Sequence, residues 1–314
     1  MAKGDVLAIG MAVADIIIKQ VDKLPPKGGL EQVERFVVST GGVASTFSRN
    51  AARLGLQVGL LATVGKDLLG DMLLSELRGD GIDTSLVLRQ PDVPTGGTVV
   101  LVDSQGERSF YHYPGASLKL LAPSYVPLDA YRHIHLGGSP LVPEYDGLQG
   151  LKLFADAHAT GVSTSIDTVY SKDGNWEATR ELLRMTDIAL PSYQEALELT
   201  GTQDPLDQAR FLIDRGVEIA VIKLGEQGAL ILPRGGSPQF VHPPKIHPID
   251  NTGAGEGFCA GFIFGYLNQW DLFRTSQFAV ACGALATQTI GGPLKISSPN
   301  DIEEWMCRNG MTAP

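Results

Sequence analysis

Short apolar runs alternate with stretches of helical spacing along most of the chain, and this alternation constrains the fold more than any other feature. Each run is brief, which is typical of strands that are buried on both faces of a sheet. Such runs occupy residues 6–9, 58–64, 134–136, 163–166, 188–190 and 219–224. Helical spacing is found at residues 43–54, 70–78, 148–159, 193–200 and 206–215. The pattern predicts an α/β fold in which helices cover both faces of a mainly parallel central sheet.

Two segments, 17–38 and 95–113, depart from this pattern because they alternate apolar and polar residues without an intervening helix. In the second segment, strand-like residues 98–102 and 109–113 flank a turn, which predicts a β-hairpin. We expect the two segments to form a small sheet that serves as a lid, and its outer face to pair with a second copy in a homodimer. The chain has no internal repeat or long linker, so residues 1–314 are predicted to form a single domain.

The charge balance and the cysteine content exclude several classes of protein. The formal net charge is −10 and the pI is near 5.1, so a basic surface for nucleic acid or an anionic membrane is not expected. No apolar stretch approaches the length of a membrane-spanning helix. Cys259, Cys282 and Cys307 form no C-x-x-C pattern, and their odd number argues against a disulfide framework or a zinc site. Reduced thiols are typical of cytoplasmic proteins, and we expect this location.

The most informative segment is the glycine-rich sequence DNTGAGEGF at residues 250–258, which leads into a predicted helix. Backbone N–H groups are unpaired at the N-terminus of a helix, and together with the helix dipole they make a site for an anion. Glu256 lies in the first turn, where its carboxylate could accept a proton from an attacking hydroxyl group. The residue pattern alone leaves open an ordinary loop in which this glutamate is only a cap.

This loop resembles the C-terminal signature of the PfkB family of carbohydrate kinases (the ribokinase-like kinases), whose usual form is D-T-x-G-A-G-D-x-F. Further resemblances follow the order of the family along nearly the whole chain, at residues 41–55, 64–70, 81–84, 95–116 and 225–229. They imply a ribokinase-like, three-layer α/β/α domain that transfers the γ-phosphate of ATP to a hydroxyl group of a sugar or sugar-like molecule. They also imply Mg²⁺ as a cofactor, with K⁺ as a further candidate.

The resemblance assigns roles around the glycine-rich loop. The amides of Gly253, Ala254 and Gly255 would form an anion hole for the phosphoryl group. Glu256 occupies the position of the catalytic base, where the family has Asp. Asp250 is the candidate ligand of a monovalent cation.

Substrate, nucleotide and metal residues are assigned in the same way. The acceptor pocket would be lined by Asp15, Gly41, Gly42 and Thr46, and Thr46 stands where the family has Asn. The nucleotide would lie along Lys223, Gly225 and Gly228. Glu195, in a segment where Ser192 replaces the Asn of the family, would act on Mg²⁺ through water. A solvated helix residue is the alternative for Glu195.

Two departures from the family bear on activity and substrate. Glu has one more methylene than Asp, and a displacement of about 1 Å in an active site can cost on the order of 10²-fold in rate. The chain is therefore an active kinase with adjusted geometry, a slow kinase, or a nucleotide- and metabolite-binding protein without turnover. Val43 stands where kinases of phosphosugars, and ribokinases themselves, typically carry Lys. Kinases of acidic keto-sugars tend to carry Arg in the lid region near Tyr113, whereas here Pro114 follows. We therefore expect a neutral polyhydroxylated acceptor, either a sugar or a nucleoside.

Overall fold

Strands and helices alternate through the body of the computed structural model, which describes residues 4–105, 107–119, 126–288 and 293–311. The strands are β1 (Gly4–Gly10), β2 (Val13–Lys19), β3 (Arg35–Gly41), β4 (Val58–Leu61), β5 (Thr63–Gly65), β6 (Leu88–Gln90), β7 (Gly97–Val102), β8 (Arg108–Tyr113), β9 (Tyr131–Ser139), β10 (Ser163–Thr168), β11 (Ile188–Ala189), β12 (Ile219–Lys223), β13 (Ala229–Pro233) and β14 (Gln239–Val241). The helices are α1 (Val43–Arg53), α2 (Leu68–Gly79), α3 (Leu148–Ala159), α4 (Trp176–Leu182), α5 (Tyr193–Thr200), α6 (Pro205–Asp214), α7 (Ala254–Leu267), α8 (Leu272–Ala286) and α9 (Pro299–Arg308).

An eight-stranded sheet forms the centre of the described part of the chain, in the order β14-β13-β12-β11-β10-β9-β1-β4. The strands from β12 to β4 in this order pair in parallel. β13 and β14 extend the sheet in antiparallel orientation. The predicted mainly parallel sheet is therefore confirmed. The carboxyl ends of parallel strands meet at one edge of a sheet, and ligands usually bind there.

Helices cover both faces of this sheet, as the alternation predicts. On one face α1, α2, α7, α8 and α9 contribute to a core that includes Phe47 and Phe262. On the other face α3 to α6 contribute to a second core that includes Phe154 and Leu212. Burying one such side chain contributes about 1.5–3 kcal/mol, so the two cores hold the strand ends in fixed positions.

The small separate sheet is also present, in the order β3-β2-β7-β8. Its first segment begins earlier than predicted, at Val13, and ends later, at Gly41. The apolar run at the N-terminus contains two strands, one in the body and one in the lid, separated at Met11 and Ala12. Both strands are apolar, so the run shows no sign of this break. Asp15 consequently lies within the lid sheet.

Other elements differ from the prediction or add to it. Residues 58–64 contain two strands, of which β4 joins the main sheet and β5 pairs with β6 in a separate ladder. The helices α4, α8 and α9 were not predicted, and most of α8 is buried, so it lacks the polar face that reveals an amphipathic helix. Within the described ranges, no helix has both the length and the apolar character that a membrane crossing requires.

Candidate active site

Four elements bring charged side chains together at the carboxyl edge of the central sheet. Asp167 lies near the end of β10 and Lys223 ends β12. Glu195 and Glu256 lie in the first turns of α5 and α7. The pKa values of Glu195, Lys223 and Glu256 are each shifted by other members of this group, so the four side chains lie close together. We call them the charge cluster, which contains three carboxyl groups and one ammonium group.

Lys223 and Asp167 form a buried ion pair at the centre of the charge cluster. The distance from Lys223 Nζ to Asp167 Oδ1 is 2.6 Å, and the two side chains are 13% and 3% exposed. Burial acts to lower the pKa of Lys223, but the neighbouring Asp167, Cys259 and Glu195 outweigh it and hold this pKa above its ordinary value. Lys223 therefore stays protonated at neutral pH. Asp167 was not among the predicted site residues, although its position directly after a predicted buried strand was a usable signal.

The glycine-rich loop leads directly into the N-terminus of α7. Gly253 is the N-cap residue and has a φ of 77°, a left-handed conformation that glycine adopts without steric cost. In the described part of the chain, the N–H groups of Gly253 and Gly255 have no acceptor. A Cβ atom on Gly255 would lie 3.3 Å from Lys223 Nζ, so the ammonium group lies beside these amides. Free amides, the helix dipole and the ammonium group together favour a bound anion.

Close backbone packing fixes α7 against α8. A Cβ atom on Gly261 would lie 2.7 Å from Cys282 Sγ, and one on Gly265 would lie 2.9 Å from Thr275 Oγ1. Glycine at these positions allows the two helices to approach more closely than any side chain would permit. Because this contact runs along α7, it also determines where Glu256 lies relative to the sheet.

Glu256 has the properties of a proton acceptor that works near neutral pH. Burial is the main cause that raises the pKa of Glu256, to about 7, and the negative charge of Asp167 adds to it. The backbone N–H of Glu256 and the ammonium group of Lys223 act in the opposite direction. A base with a pKa near the working pH combines an available deprotonated form with a useful proton affinity.

Glu195 is buried and hydrogen-bonded, so the alternative of a solvated helix residue is wrong. Its Oε2 accepts hydrogen bonds from the Ser192 N–H at 2.7 Å and from Thr168 Oγ1 at 2.8 Å. Ser192, which replaces the Asn of the family, completes a capping box with Glu195 at the start of α5. Burial raises the pKa of Glu195, against the lowering effect of Lys223.

The donor set of the charge cluster fits a Mg²⁺ ion that keeps part of its water shell. Among the described residues, no three histidine, cysteine or carboxylate side chains form a ready metal site. Mg²⁺ usually binds one or two carboxylates together with water and substrate phosphates. Asp167, Glu195 and Glu256 offer hard oxygen atoms, and one lysine offsets only part of their negative charge.

A second group of predicted residues lies on the lid side of the site. A Cβ atom on Gly41 would lie 2.0 Å from Asp15 Oδ2, so glycine is required where this carboxyl group packs. Burial raises the pKa of Asp15 to about 6, a hydrogen bond with Thr98 lowers it, and Asp250 raises it further. Gly42 is the N-cap of α1, and the Thr46 N–H donates to its carbonyl oxygen at 2.9 Å. Asp15 therefore lies close to the glycine-rich loop as well as to Gly41.

Arg108 connects the lid with the glycine-rich loop and was not among the predicted site residues. Its Nη1 donates to Thr252 Oγ1 at 2.6 Å and lies 3.5 Å from Asp250 Oδ1. The same Asp250 oxygen accepts from the Thr252 N–H at 2.9 Å and from its hydroxyl at 2.7 Å. The guanidinium group therefore supplies positive charge at the candidate monovalent cation site. In the sequence, an arginine beside a hairpin turn looks like an ordinary solvated residue.

The first candidate nucleotide-binding residue lies inside the charge cluster, and the other two lie outside it. Lys223 points toward Asp167, whereas Gly225 and Gly228 lie in the turn between β12 and β13. A Cβ atom on Gly228 would lie 1.9 Å from the carbonyl oxygen of Val241, so the turn is tight. This turn follows the carboxyl end of a parallel strand, where nucleotides bind in open α/β sheets.

The chain is similar to known proteins in sequence and in fold. A family model described as pfkB family carbohydrate kinase matches residues 3–298. A 2-dehydro-3-deoxygluconokinase of Bacillus subtilis is 29% identical over 278 residues, which cover 84% of this chain and 85% of that protein. An aminoimidazole riboside kinase of Salmonella typhimurium is 25% identical over 296 residues, covering 90% and 92%. A solved ribokinase-like structure from E. coli, in complex with ATP and Mg²⁺, has a TM-score of 0.83 at 26% identity and covers 97% of this chain and 99% of that chain.

Proposed function

The chain belongs to the pfkB family of carbohydrate kinases, and from that premise we propose that it transfers the γ-phosphoryl group of ATP to a hydroxyl group of a sugar or sugar-like molecule, with Glu256 as the general base. One observation is the main support for Glu256 as the base. The carboxyl group of Glu256, with a pKa near 7, belongs to the same charge cluster as Lys223, whose ammonium group lies beside the free amides of α7.

Each residue of the proposed active site would have a separate role in the transfer. Glu256 takes the proton of the attacking hydroxyl group as the new bond from its oxygen to the γ-phosphorus forms and the bond from that phosphorus to the oxygen of the leaving ADP breaks. The free amides of Gly253 and Gly255, together with the ammonium group of Lys223, stabilise the negative charge on the transferring phosphoryl oxygens. The Ala254 N–H donates to the Asn251 carbonyl oxygen at 3.4 Å and would have to exchange this long hydrogen bond for one to the phosphoryl group. Asp15 accepts hydrogen bonds from acceptor hydroxyls and orients them. Gly225, where a Cβ atom would meet nothing within 4 Å, leaves room for the nucleotide to approach the backbone, and Gly228 keeps the adjoining turn tight.

Mg²⁺, when bound with ATP, would neutralise charge on the phosphate oxygens. Glu195 would hold one of its water ligands, because its carboxylate is already oriented by Ser192 and Thr168. We expect Glu195→Gln to raise the Mg²⁺ concentration for half-maximal activity by about tenfold, as losing an outer-shell partner commonly does. A Mg²⁺ titration of ADP formation measures this, with Glu198→Gln on the same helix as the control. Identical titrations for the two variants would refute the role of Glu195.

A nucleoside is the second candidate acceptor, and the similarity to an aminoimidazole riboside kinase supports including it. A panel of neutral aldoses, ketoses and ribosides, assayed by ADP formation, separates the two substrate classes. The same assay with and without K⁺ tests the expected cation site at Asp250. If ATP binds tightly and no acceptor in the panel gives ADP, the chain is a nucleotide- and metabolite-binding protein instead.

We also expect the protein to form a homodimer through the outer face of the lid. Phe36, Val38, Tyr111 and Tyr113 are 62%, 37%, 61% and 53% exposed. Cross-strand pairing places Val38, Ile16, Val99 and Tyr111 on one face of this sheet. A monomeric soluble protein rarely leaves such an apolar face in contact with water.

Sedimentation of the Tyr111→Glu variant tests the dimer. A carboxylate at this position would be buried without a partner in a dimer, so we expect the variant to sediment as a monomer while the wild-type protein sediments as a dimer. Leu148, which is 84% exposed and lies outside the lid, provides the control variant Leu148→Glu. A monomeric wild-type protein, or a dimeric Tyr111→Glu variant, would contradict this interface.

A further inference from the structure

A cavity of about 660 Å³ lies at the amino ends of the parallel strands, opposite the edge that carries the charge cluster. Arg132 near the start of β9 and Ile219 at the start of β12 line it on the side of the sheet. The last two turns of α7, the turn that follows and the first turn of α8 line it on the other side. A cavity of this size is typical of sites for small organic molecules.

The cavity is remote from the candidate active site. α7 has 14 residues and is therefore about 21 Å long, and the cavity lies at its C-terminal end. Glu256 and the free amides lie at its N-terminal end. A ligand in the cavity would therefore not contact the charge cluster.

The aromatic wall of the cavity is held in place by the protein itself. Trp270 makes edge-to-face contacts with Phe264 and Phe278, with ring centroids 5.4 and 5.2 Å apart. The guanidinium carbon of Arg274 lies 3.8 Å from the centre of the Trp270 ring. Gln269 has a φ of 59°, a conformation that residues other than glycine keep only where the surrounding structure fixes it. A wall that is already ordered lowers the entropy that a ligand must lose on binding.

The lining carries a positive charge. Arg132 is the only charged side chain among the described residues that line the cavity. Its Nη1 donates to Asp5 Oδ1 at 2.9 Å, and its Nη2 donates to the carbonyl oxygen of Leu267. A guanidinium group has five N–H donors, so three of them have no acceptor within the described ranges. The Arg132 side chain is 43% exposed, so a ligand can reach these donors.

A buried hydroxyl group adds a second polar point to the same lining. Thr275 is 2% exposed, and its Oγ1 has no hydrogen-bond partner in the part of the chain that the structure describes. A buried hydroxyl group without a partner is unfavourable, and a polar atom of a ligand would supply one. Most of the remaining wall is apolar or aromatic, as Phe262 and Leu272 illustrate. A mainly apolar lining with a few polar groups is the usual composition of a small-molecule site.

We propose that this cavity is a second ligand site, separate from the candidate active site, and that it binds a small organic acid with an apolar body. The carboxylate of the acid pairs with the uncommitted N–H groups of Arg132, since planar carboxylates match the geometry of a guanidinium group. The apolar body packs against Trp270 and its apolar neighbours. The site does not depend on the proposed kinase activity.

Fluorine NMR of protein labelled with 5-fluorotryptophan tests this site, because the chain has three tryptophans, Trp176, Trp270 and Trp305. The probe is 3-phenylpropionate, its neutral match is 3-phenylpropanamide, and the Trp270→Phe variant assigns the resonance of Trp270. We expect 3-phenylpropionate to shift the Trp270 resonance saturably while the other two resonances stay in place. The amide should bind about tenfold more weakly, because it lacks the charge that Arg132 pairs with.

The Arg132→Met variant tests the pairing group. Methionine keeps much of the apolar stem but removes the charge, so we expect the acid to bind this variant about tenfold more weakly, with the affinity of the amide unchanged. Arg210→Met, at an exposed position on α6, is the matched control and should bind both probes like wild type. The comparison of acid and amide in wild-type protein gives the same information without any substitution.

The outcomes separate the site from its chemistry and from the kinase proposal. A Trp270 resonance that does not respond, or equal shifts of all three resonances, would overturn the site. Equal affinities for acid and amide, or an acid affinity that Arg132→Met leaves unchanged, would overturn the pairing with Arg132. Inorganic phosphate that shifts the Trp270 resonance with the affinity of 3-phenylpropionate would contradict the need for an apolar body. A saturable shift confined to Trp270 supports the site whether or not the protein forms ADP.

Discussion

Glu256→Ala is expected to reduce kcat by about 10²- to 10⁴-fold, the range that a positioned general base commonly supplies. The affinity for ATP should remain within about twofold of wild type, because the free amides of Gly253 and Gly255 and the ammonium group of Lys223 are untouched. ADP formation with a saturating acceptor measures kcat, and calorimetry measures ATP binding. Glu304→Ala, at an exposed position on α9, is the control.

Glu256→Asp shows whether the surroundings of the proposed base suit glutamate or still suit the aspartate of the family. The shorter side chain withdraws the carboxyl group by about 1 Å, a misplacement that can cost on the order of 10²-fold in rate. Because Glu256 already has a pKa near 7 within the charge cluster, we expect the aspartate variant to be slower than wild type. A faster variant would mean that the surroundings are still arranged for the Asp of the family. No effect from either substitution would show that Glu256 is not the base.

Lys223→Met is expected to have the largest combined effect on stability and activity. Removing the lysine leaves Asp167, which is 3% exposed, as a buried charge without its partner. Breaking a buried ion pair in this way costs about 3–5 kcal/mol, so urea unfolding should show a large loss of stability. Turnover should fall as well, because the phosphoryl group loses the ammonium group beside the α7 amides.

A second substitution separates these two effects. In the double variant Lys223→Met with Asp167→Leu the charge of Asp167 is removed together with its partner, and we expect much of the lost stability to return. Turnover should stay low, since the positive charge is still missing. Full recovery of both properties would mean that Lys223 and Asp167 only stabilise the fold. Replacing the exposed Arg210–Asp207 pair of α6 by neutral residues provides the control, because surface pairs contribute about 0–1 kcal/mol.

The sequence predicted most of the fold because its periodicity follows directly from burial. Strands buried on both faces must be apolar, and helices on such a sheet must repeat their apolar residues every three or four positions. The prediction failed where burial leaves no distinct pattern of apolar and polar residues. The body strand β1 and the lid strand β2 are both apolar, so the turn between them was not visible. α8 is buried on most of its surface, so it lacks the polar face that would reveal a helical spacing of apolar residues.

The candidate site was predictable to the extent that its residues lie in one short segment. Residues 250–258 contain the proposed base, the amides proposed to bind an anion and the start of the helix that orients them, so local sequence was sufficient to predict them. Asp167 and Arg108 were missed for the opposite reason. Asp167 acts through Lys223, which is 56 residues away, and Arg108 through Thr252, which is 144 residues away. Only the parallel sheet and the folded lid bring these partners together.

The pH dependence of kcat tests the role of Glu256 most directly. At saturating ATP, Mg²⁺ and acceptor, kcat should fall about tenfold per pH unit below pH 7, because protonated Glu256 cannot accept the proton of the hydroxyl group. Asp167→Asn removes a negative charge that raises the pKa of Glu256, so the decline should begin at lower pH in that variant. A profile that is flat across pH 7, or a decline that Asp167→Asn leaves in place, would contradict Glu256 as the general base.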